Sequence, residues 1–345
     1  MGLREEILEQ PAVAARLLEQ QKSVVEDIAK EIKNSEIDYT FLAARGTSDN
    51  AGRYAKYLWG AVNQMPVAMA TPSLFSIYQQ PPKLKKALVV GISQSGKSPD
   101  IVSVLTEAKR QNQPTLAITN IPGSPLAKDA TWTIDISAGP EIAVAATKTY
   151  TASLMAIAML SAALSGEKDA WEKLEQVPFW MEQVLTKEEH LAQMAQRYRY
   201  MESCVVLGRG FHYATAFEWA LKMKEMSYLI ADPYSSADFQ HGPIALVEHG
   251  FPVMAVATKG KVLEDMVGLM DILRREHRVE LFTISDDNEA LRVANTGLAL
   301  PAGIPEWLSP LVAILPAQLF TYYLTQIKGF DTEAPRSLNK VTETI

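Results

Sequence analysis

Short apolar runs alternate with longer stretches whose apolar residues recur every three or four positions along most of this chain. Leu88-Val89-Val90-Gly91-Ile92 is one such run, and it reads as a buried strand. A serine-rich turn follows, Ser93-Gln94-Ser95-Gly96-Lys97-Ser98, and then Pro99-Asp100-Ile101. Gly96 permits a tight turn, and Ser98-Pro99 predicts an N-cap followed by proline at the first helical position. A helix start presents free backbone N–H groups and the positive end of the helix dipole, which suits a phosphate. Ser93, Ser95 and Ser98 add hydroxyl donors without adding charge. The loop matches neither the Walker pattern nor the dinucleotide fingerprint, so on its own it fits a hydrophilic surface turn as well as a phosphate cradle.

The pattern occurs twice. Shifted by 164 positions, Phe41-Leu42-Ala43-Ala44-Arg45-Gly46 falls on Val205-Val206-Leu207-Gly208-Arg209-Gly210. At the same shift Leu88–Ile92 falls on Pro252–Val256, and Gly96 falls on Gly260. Thr115–Thr119 and Glu280–Ile284 keep nearly that spacing, as do Pro140-Glu141 and Pro305-Glu306, each of which opens a long apolar helical stretch. An ordered series at one near-constant offset is the mark of duplication. Each half therefore predicts an α/β unit with a parallel sheet covered by helices on both faces. Residues 1–34 read as a helical segment, with Ile7, Val13, Leu17, Leu18, Val25 and Ile28 apolar. The first subdomain is expected over 35–165, a polar helical connection over 166–199, the second subdomain over 200–330 and a tail over 331–345.

The copies differ where chemistry is expected. The second has Ala257-Thr258-Lys259-Gly260 where the first has Ser93-Gln94-Ser95-Gly96, and it carries Glu218, Lys222, Glu225 and His241. The expectation is a site in which the first copy anchors and the second reacts, at the carboxyl ends of the strands. Glu218, Lys222 and Glu225 are spaced by four and then three, so they share one helix face. On a solvated face such a pair contributes only about 0.2–0.5 kcal/mol. The neighbours Trp219, Leu221, Met223, Met226 and Tyr228 are apolar, however, and leave less than one face for solvent. His241 sits in a loop just before a short helix. In the tail, Leu338, Val341 and Ile345 are expected to anchor the segment and bring Lys340 with it; a desolvated lysine can attack a carbonyl as an amine. A frayed terminus is the plainer alternative.

Bulk properties narrow the class. The 345 residues leave room for roughly two domains. A net charge of −7 with no basic block argues against nucleic acid as a partner. A phosphorylated substrate would then rest mainly on amides and hydroxyls, aided by one or two local cations. The single cysteine, Cys204, excludes an intramolecular disulfide framework. The five histidines show no paired metal-ligand spacing, so no transition metal is expected. The N-terminus lacks the blocks of a signal peptide, and the apolar stretch from Ala152 to Leu164 is too short to span a bilayer, which points to a cytoplasmic protein without membrane partners.

Taken jointly, Arg45-Gly46-Thr47-Ser48, Ile92-Ser93-Gln94-Ser95-Gly96, Val144-Ala145-Ala146-Thr147-Lys148, Ala220-Leu221-Lys222-Met223-Lys224-Glu225, His241-Gly242-Pro243 and Leu338-Asn339-Lys340-Val341-Thr342 resemble the sugar isomerase (SIS) family. The resemblance is to the isomerase half of the glucosamine-6-phosphate synthases and covers nearly the whole chain. It implies two flavodoxin-like, doubly wound subdomains. It also implies that Thr47, Ser48, Ser93, Gln94, Ser95 and Ser98 hold the sugar phosphate, and that Val144 and Ala145 line the sugar. By the same resemblance Glu225 moves a proton between C1 and C2, supported by Glu218 and Lys222. His241 opens the sugar ring, reaching the site from the neighbouring subunit of a homodimer, and Lys340 forms an imine with the ketose. No cofactor is implied.

Departures refine the expectation. The chain begins with the isomerase region and shows no glutaminase domain with its leading cysteine. Lys97 stands where the synthase loop has an acidic residue, Ser98 replaces threonine and Ala146 replaces serine. Ser93–Asp100, Ala143–Lys148 and Ser235–Pro243 are similar to the stand-alone hexosamine phosphate deaminases. The resemblance thus implies conversion of glucosamine 6-phosphate to fructose 6-phosphate and ammonia. Another amino-sugar phosphate isomerase, a fructosamine-6-phosphate deglycase and a non-catalytic sugar-phosphate sensor are the alternatives.

Overall fold

The apolar runs at Phe41, Leu88 and Thr115 become strands of one parallel sheet in the structure, a computed structural model that describes residues 2–340. The strands are β1 (Tyr39–Ala43), β2 (Val67–Met69), β3 (Ala87–Ile92), β4 (Thr115–Thr119) and β5 (Trp132–Asp135), in the order β2-β1-β3-β4-β5. The second half repeats the arrangement with β6 (Ser203–Gly208), β7 (Ile230–Ser235), β8 (Pro252–Val256), β9 (Glu280–Ser285) and β10 (Thr296–Ala299). Their order is β7-β6-β8-β9-β10, the same topology. All strand pairs in both sheets are parallel. The duplication read from the sequence is therefore a duplication of the fold.

The chain divides into two units. One holds Glu9–Ile142, Ala146–Gln176 and the segment from Asn339; the other holds the chain up to Leu8, Ala143–Ala145 and Val177–Leu338. In both sheets the strand order reverses beside the first strand of the unit, between β1 and β3 and between β6 and β8. Open α/β sheets take their ligands at that reversal, outside the carboxyl ends of the strands.

In the first unit every residue of β3 is buried, as a strand covered on both faces requires. Gly91 allows this: a Cβ there would lie 2.8 Å from Leu105 Cδ1 and 2.9 Å from Leu126 Cδ1. The helix Pro99–Arg110 thereby packs Ile101, Val104 and Leu105 onto Val89 and Ala117. The helix Lys148–Ser165 is buried along nearly its whole length, and Trp59 donates its indole N–H to the carbonyl of Ile157 at 3.2 Å.

In the second unit Trp219, on the helix His212–Ser227, stacks edge-on against Phe282 and Phe320, with ring centroids 5.7 and 5.9 Å apart. That aromatic cluster fixes the rotation of the helix over β9. The N-terminal segment forms two helices, Leu3–Leu8 and Gln10–Lys33, with Pro11 in the first turn of the second. The polar connection is also helical, at Ala170–Glu175, Val177–Leu185 and Glu188–Arg197. Among the described residues no helix is long and apolar enough to cross a membrane.

Candidate active site

The serine-rich turn lies at the carboxyl end of β3, beside the strand-order reversal. Gly96 has φ +60°, and a Cβ on it would meet Ser124 Oγ at 2.1 Å, so only glycine fits this turn. Ser98 is the N-cap of the helix Pro99–Arg110 with proline following, as the sequence predicts, but its side chain makes no cap hydrogen bond. Ser93 Oγ accepts from the N–H of Gly96 at 3.1 Å and Ser95 Oγ from the N–H of Lys97 at 3.3 Å. Among the described residues the hydroxyls of Ser48, Ser93, Ser95 and Ser98 donate to no protein acceptor, and the backbone N–H groups of Gln94, Ser95 and Ser98 find none either. Thr47 and Ser48 start the helix Thr47–Asn63 at the carboxyl end of the adjacent strand β1. The turn thus presents several neutral hydroxyl and amide donors that lack an acceptor among the described residues, which is what an anion supplies.

The corresponding place in the second unit is filled. His212 bonds Thr215 Oγ1 at 3.1 Å through Nδ1, and Thr258 Oγ1 and Ser309 Oγ at 2.8 Å each through Nε2. Glu306 covers the turn, since a Cβ on Gly260 would lie 2.1 Å from its Cδ. Burial drives His212 down from its ordinary value of 6.5 to about 3, so the native state holds it neutral. The unfolded chain binds a proton below 6.5 and the native chain does not. This contribution to stability is therefore complete above pH 6.5 and declines as the pH falls toward 3. Between pH 6.5 and 5 the loss should be about 1.6 kcal/mol. Urea denaturation at both pH values should show that loss in the wild type and a smaller one in His212→Gln; equal losses would contradict it.

Glu218, Lys222 and Glu225 lie on one face of the helix His212–Ser227, and the face is not solvated. Glu218 and Lys222 are fully buried, while the Glu225 side chain is 24% exposed. Lys222 Nζ lies 3.4 Å from Glu218 Oε1 and 2.5 Å from Glu225 Oε2. A buried ammonium between two carboxylates satisfies the need of buried charges for partners and leaves one carboxylate, Glu225, at the surface. Cys204, buried in β6, has its thiol pushed up to about 12 by burial, so it is no nucleophile.

His241 follows the short helix Ser236–Gln240 and precedes the 3-10 turn Pro243–Leu246. It is exposed, and its ring makes no hydrogen bond among the described residues. Val144 is half-buried and Ala145 buried; their segment is tied down by the N–H of Ala143, which donates to Glu6 Oε1 at 3.3 Å.

Lys340 is held differently from expectation. Leu338 is 39% exposed and so does not anchor the tail; Val341 and Ile345 lie outside the described residues. The anchor is polar, with Lys340 Nζ 2.7 Å from Oε2 of the buried Glu141. Glu141 also accepts from the N–H groups of Thr147 and Thr149 at 3.0 and 3.1 Å and from Thr149 Oγ1 at 2.8 Å. It thus closes the start of the helix Lys148–Ser165 and docks the tail at once. The sequence marks Glu141 through the repeat, but its partners lie in a loop whose path no periodicity predicts.

The duplicated fold agrees with the family comparison. The SIS domain family covers residues 36–163 and again 199–328, one span for each sheet. The chain belongs to the SIS domain family. It is 34% identical over 350 residues to the isomerizing glutamine–fructose-6-phosphate aminotransferase of Thermus thermophilus, spanning 97% of this chain and 57% of that protein. The chain thus matches little more than half the length of that relative. A solved structure, the C-terminal domain of glucosamine-fructose-6-phosphate aminotransferase from Francisella tularensis, superposes with a TM-score of 0.87 at 29% identity, covering 96% of this chain and 98% of that one. The glucosamine-6-phosphate deaminase of Thermotoga maritima shares the fold, with a TM-score of 0.79, 21% identity and 99% of each chain covered.

Proposed function

We propose that this SIS chain is a phosphosugar isomerase that deaminates glucosamine 6-phosphate to fructose 6-phosphate and ammonia. The observation that carries the reading is the triad on one helix: a carboxylate at the surface, Glu225, backed by the buried ammonium of Lys222 and the buried Glu218. Glu225 takes the proton from C2 of the open-chain amino sugar and returns it to C1, turning the aldose into a 2-imino ketose. Water then adds to the imine carbon and ammonia leaves, so one water is consumed per ammonia released. Lys222 offsets the negative charge that develops on the intermediate without itself reacting. The unsatisfied donors of Ser48 and Ser93–Ser98 support phosphate anchoring by the first unit. For Lys340 to form an imine with the ketose, its ammonium must first leave Glu141 and lose a proton.

A homodimer in which His241 serves the neighbouring subunit's site belongs to the same proposal, and the exposed ring, which has no hydrogen-bond partner among the described residues, supports it. The test is simultaneous assay of ammonia and fructose 6-phosphate from glucosamine 6-phosphate. Equimolar release is expected, together with partial recovery when inactive His241→Ala and Glu225→Ala chains are mixed and exchange subunits. Ammonia without ketose phosphate would overturn the isomerising reading. Binding of the sugar phosphate without turnover would favour a sensor, and no recovery after demonstrated exchange would remove the shared site.

A further inference from the structure

A phosphate monoester carries between about −1.5 and −2 charges near neutral pH, while the hydroxyl and amide donors of the serine-rich turn are neutral and its one charged side chain, Lys97, is exposed. One cation of the first unit is fixed at the start of the same helix. Arg45 follows β1 as Ser93 follows β3, each two residues past the paired positions Ala43 and Gly91. Its Nε lies 2.7 Å from Oδ2 of Asp100, in the first turn of the helix Pro99–Arg110. Asp100 is fully buried, and its other oxygen accepts from the N–H of Ile101 at 3.0 Å. The guanidinium is therefore anchored through one of its nitrogens. Among the described residues its two terminal nitrogens have no acceptor, and the side chain is 50% exposed.

We propose that Arg45, aimed by the buried Asp100, is the cationic ligand of the substrate's phosphate. This rests on the reading that the turn Ser93–Ser98 holds that phosphate. An arginine held at Nε still offers four N–H donors on its terminal nitrogens, enough for a two-pronged contact with phosphate oxygens. The second unit supplies the internal comparison. Arg209 corresponds to Arg45 at the 164-residue shift, and it pairs at 3.1 Å with Asp265, which stands 165 positions after Asp100 in the first turn of the helix Leu263–Arg275. There, however, the aspartate is 61% exposed, the hydroxyl-rich turn is missing and Glu306 covers the glycine. The Arg–Asp tie is thus common to both copies, while only the first joins it to open phosphate donors.

Calorimetric titration of the full chain with glucitol 6-phosphate, which cannot react, and with glucitol separates the possibilities. Arg45→Gln should weaken binding of the phosphorylated alditol roughly ten- to a hundredfold, the range for a charge-assisted hydrogen bond. Arg45→Lys should recover part of the loss, and Arg209→Gln should bind as the wild type does. Because Arg45→Gln leaves a buried aspartate unpaired, the double variant Arg45→Gln/Asp100→Asn is measured too and should show the same weakening with a native circular dichroism spectrum. Wild-type affinity in the folded double variant would overturn the role of Arg45 while leaving the turn as the phosphate site. Equal weakening by Arg209→Gln would also overturn it. A wild type that binds neither compound would instead defeat the phosphate-site reading, and the inference with it.

Discussion

Glu225→Gln should lower kcat for ammonia release by roughly 10²–10⁴-fold, the usual contribution of a positioned general base. It should leave the affinity for the sugar phosphate nearly unchanged. The charge arithmetic of the site explains why this variant folds. Removing the Glu225 charge leaves Lys222 beside Glu218, a buried pair of zero net charge. Lys222→Met, in contrast, would remove the cation beside Glu218, which is fully buried, and should destabilise the unit by about 3–5 kcal/mol. Steady-state kinetics paired with urea denaturation separates the two. An active Glu225→Gln enzyme, or one that is inactive only because it is unfolded, would contradict the assignment.

The second large effect is expected at Glu141. Its carboxylate accepts from two backbone N–H groups, one hydroxyl and the Lys340 ammonium, and it is fully buried. Glu141→Ala strips the start of the helix Lys148–Ser165 of its acceptors and frees the tail. A loss of about 3 kcal/mol is expected. Lys340→Ala removes only the partly exposed partner and should cost about 1 kcal/mol, since the amides keep their acceptor. Limited proteolysis should release the tail from both variants, whereas urea denaturation should show the larger loss only for Glu141→Ala. Equal stability of the two would mean that the carboxylate serves the tail and not the helix.

Much of this was legible in the sequence for definite physical reasons. Strands buried on both faces are continuous apolar runs, so β3 and β8 stand out, and a duplicated fold repeats those runs at one offset. The spacing of Glu218, Lys222 and Glu225 places them on one helix face whatever the surroundings. That the face is buried depends on Trp219 packing against Phe282 and Phe320, which are distant in sequence. Glu141 with Lys340, and Arg45 with Asp100, were not legible for the same reason. Each joins residues far apart along the chain, 199 positions in the first case and 55 in the second, through loops. Ser98 shows the limit of local rules from the other side. It occupies the N-cap its sequence context predicts, but its hydroxyl leaves the helix uncapped and stays open.

The most direct test of the central claim is hydrogen exchange at C1 of fructose 6-phosphate in D₂O, followed by proton NMR. It requires only the proton transfer assigned to Glu225 and is independent of ammonia. The wild type should replace one of the two C1 hydrogens stereospecifically, and Glu225→Gln should leave both in place. A wild type that binds fructose 6-phosphate yet exchanges neither hydrogen, or a Glu225→Gln chain that exchanges as fast, would contradict the account.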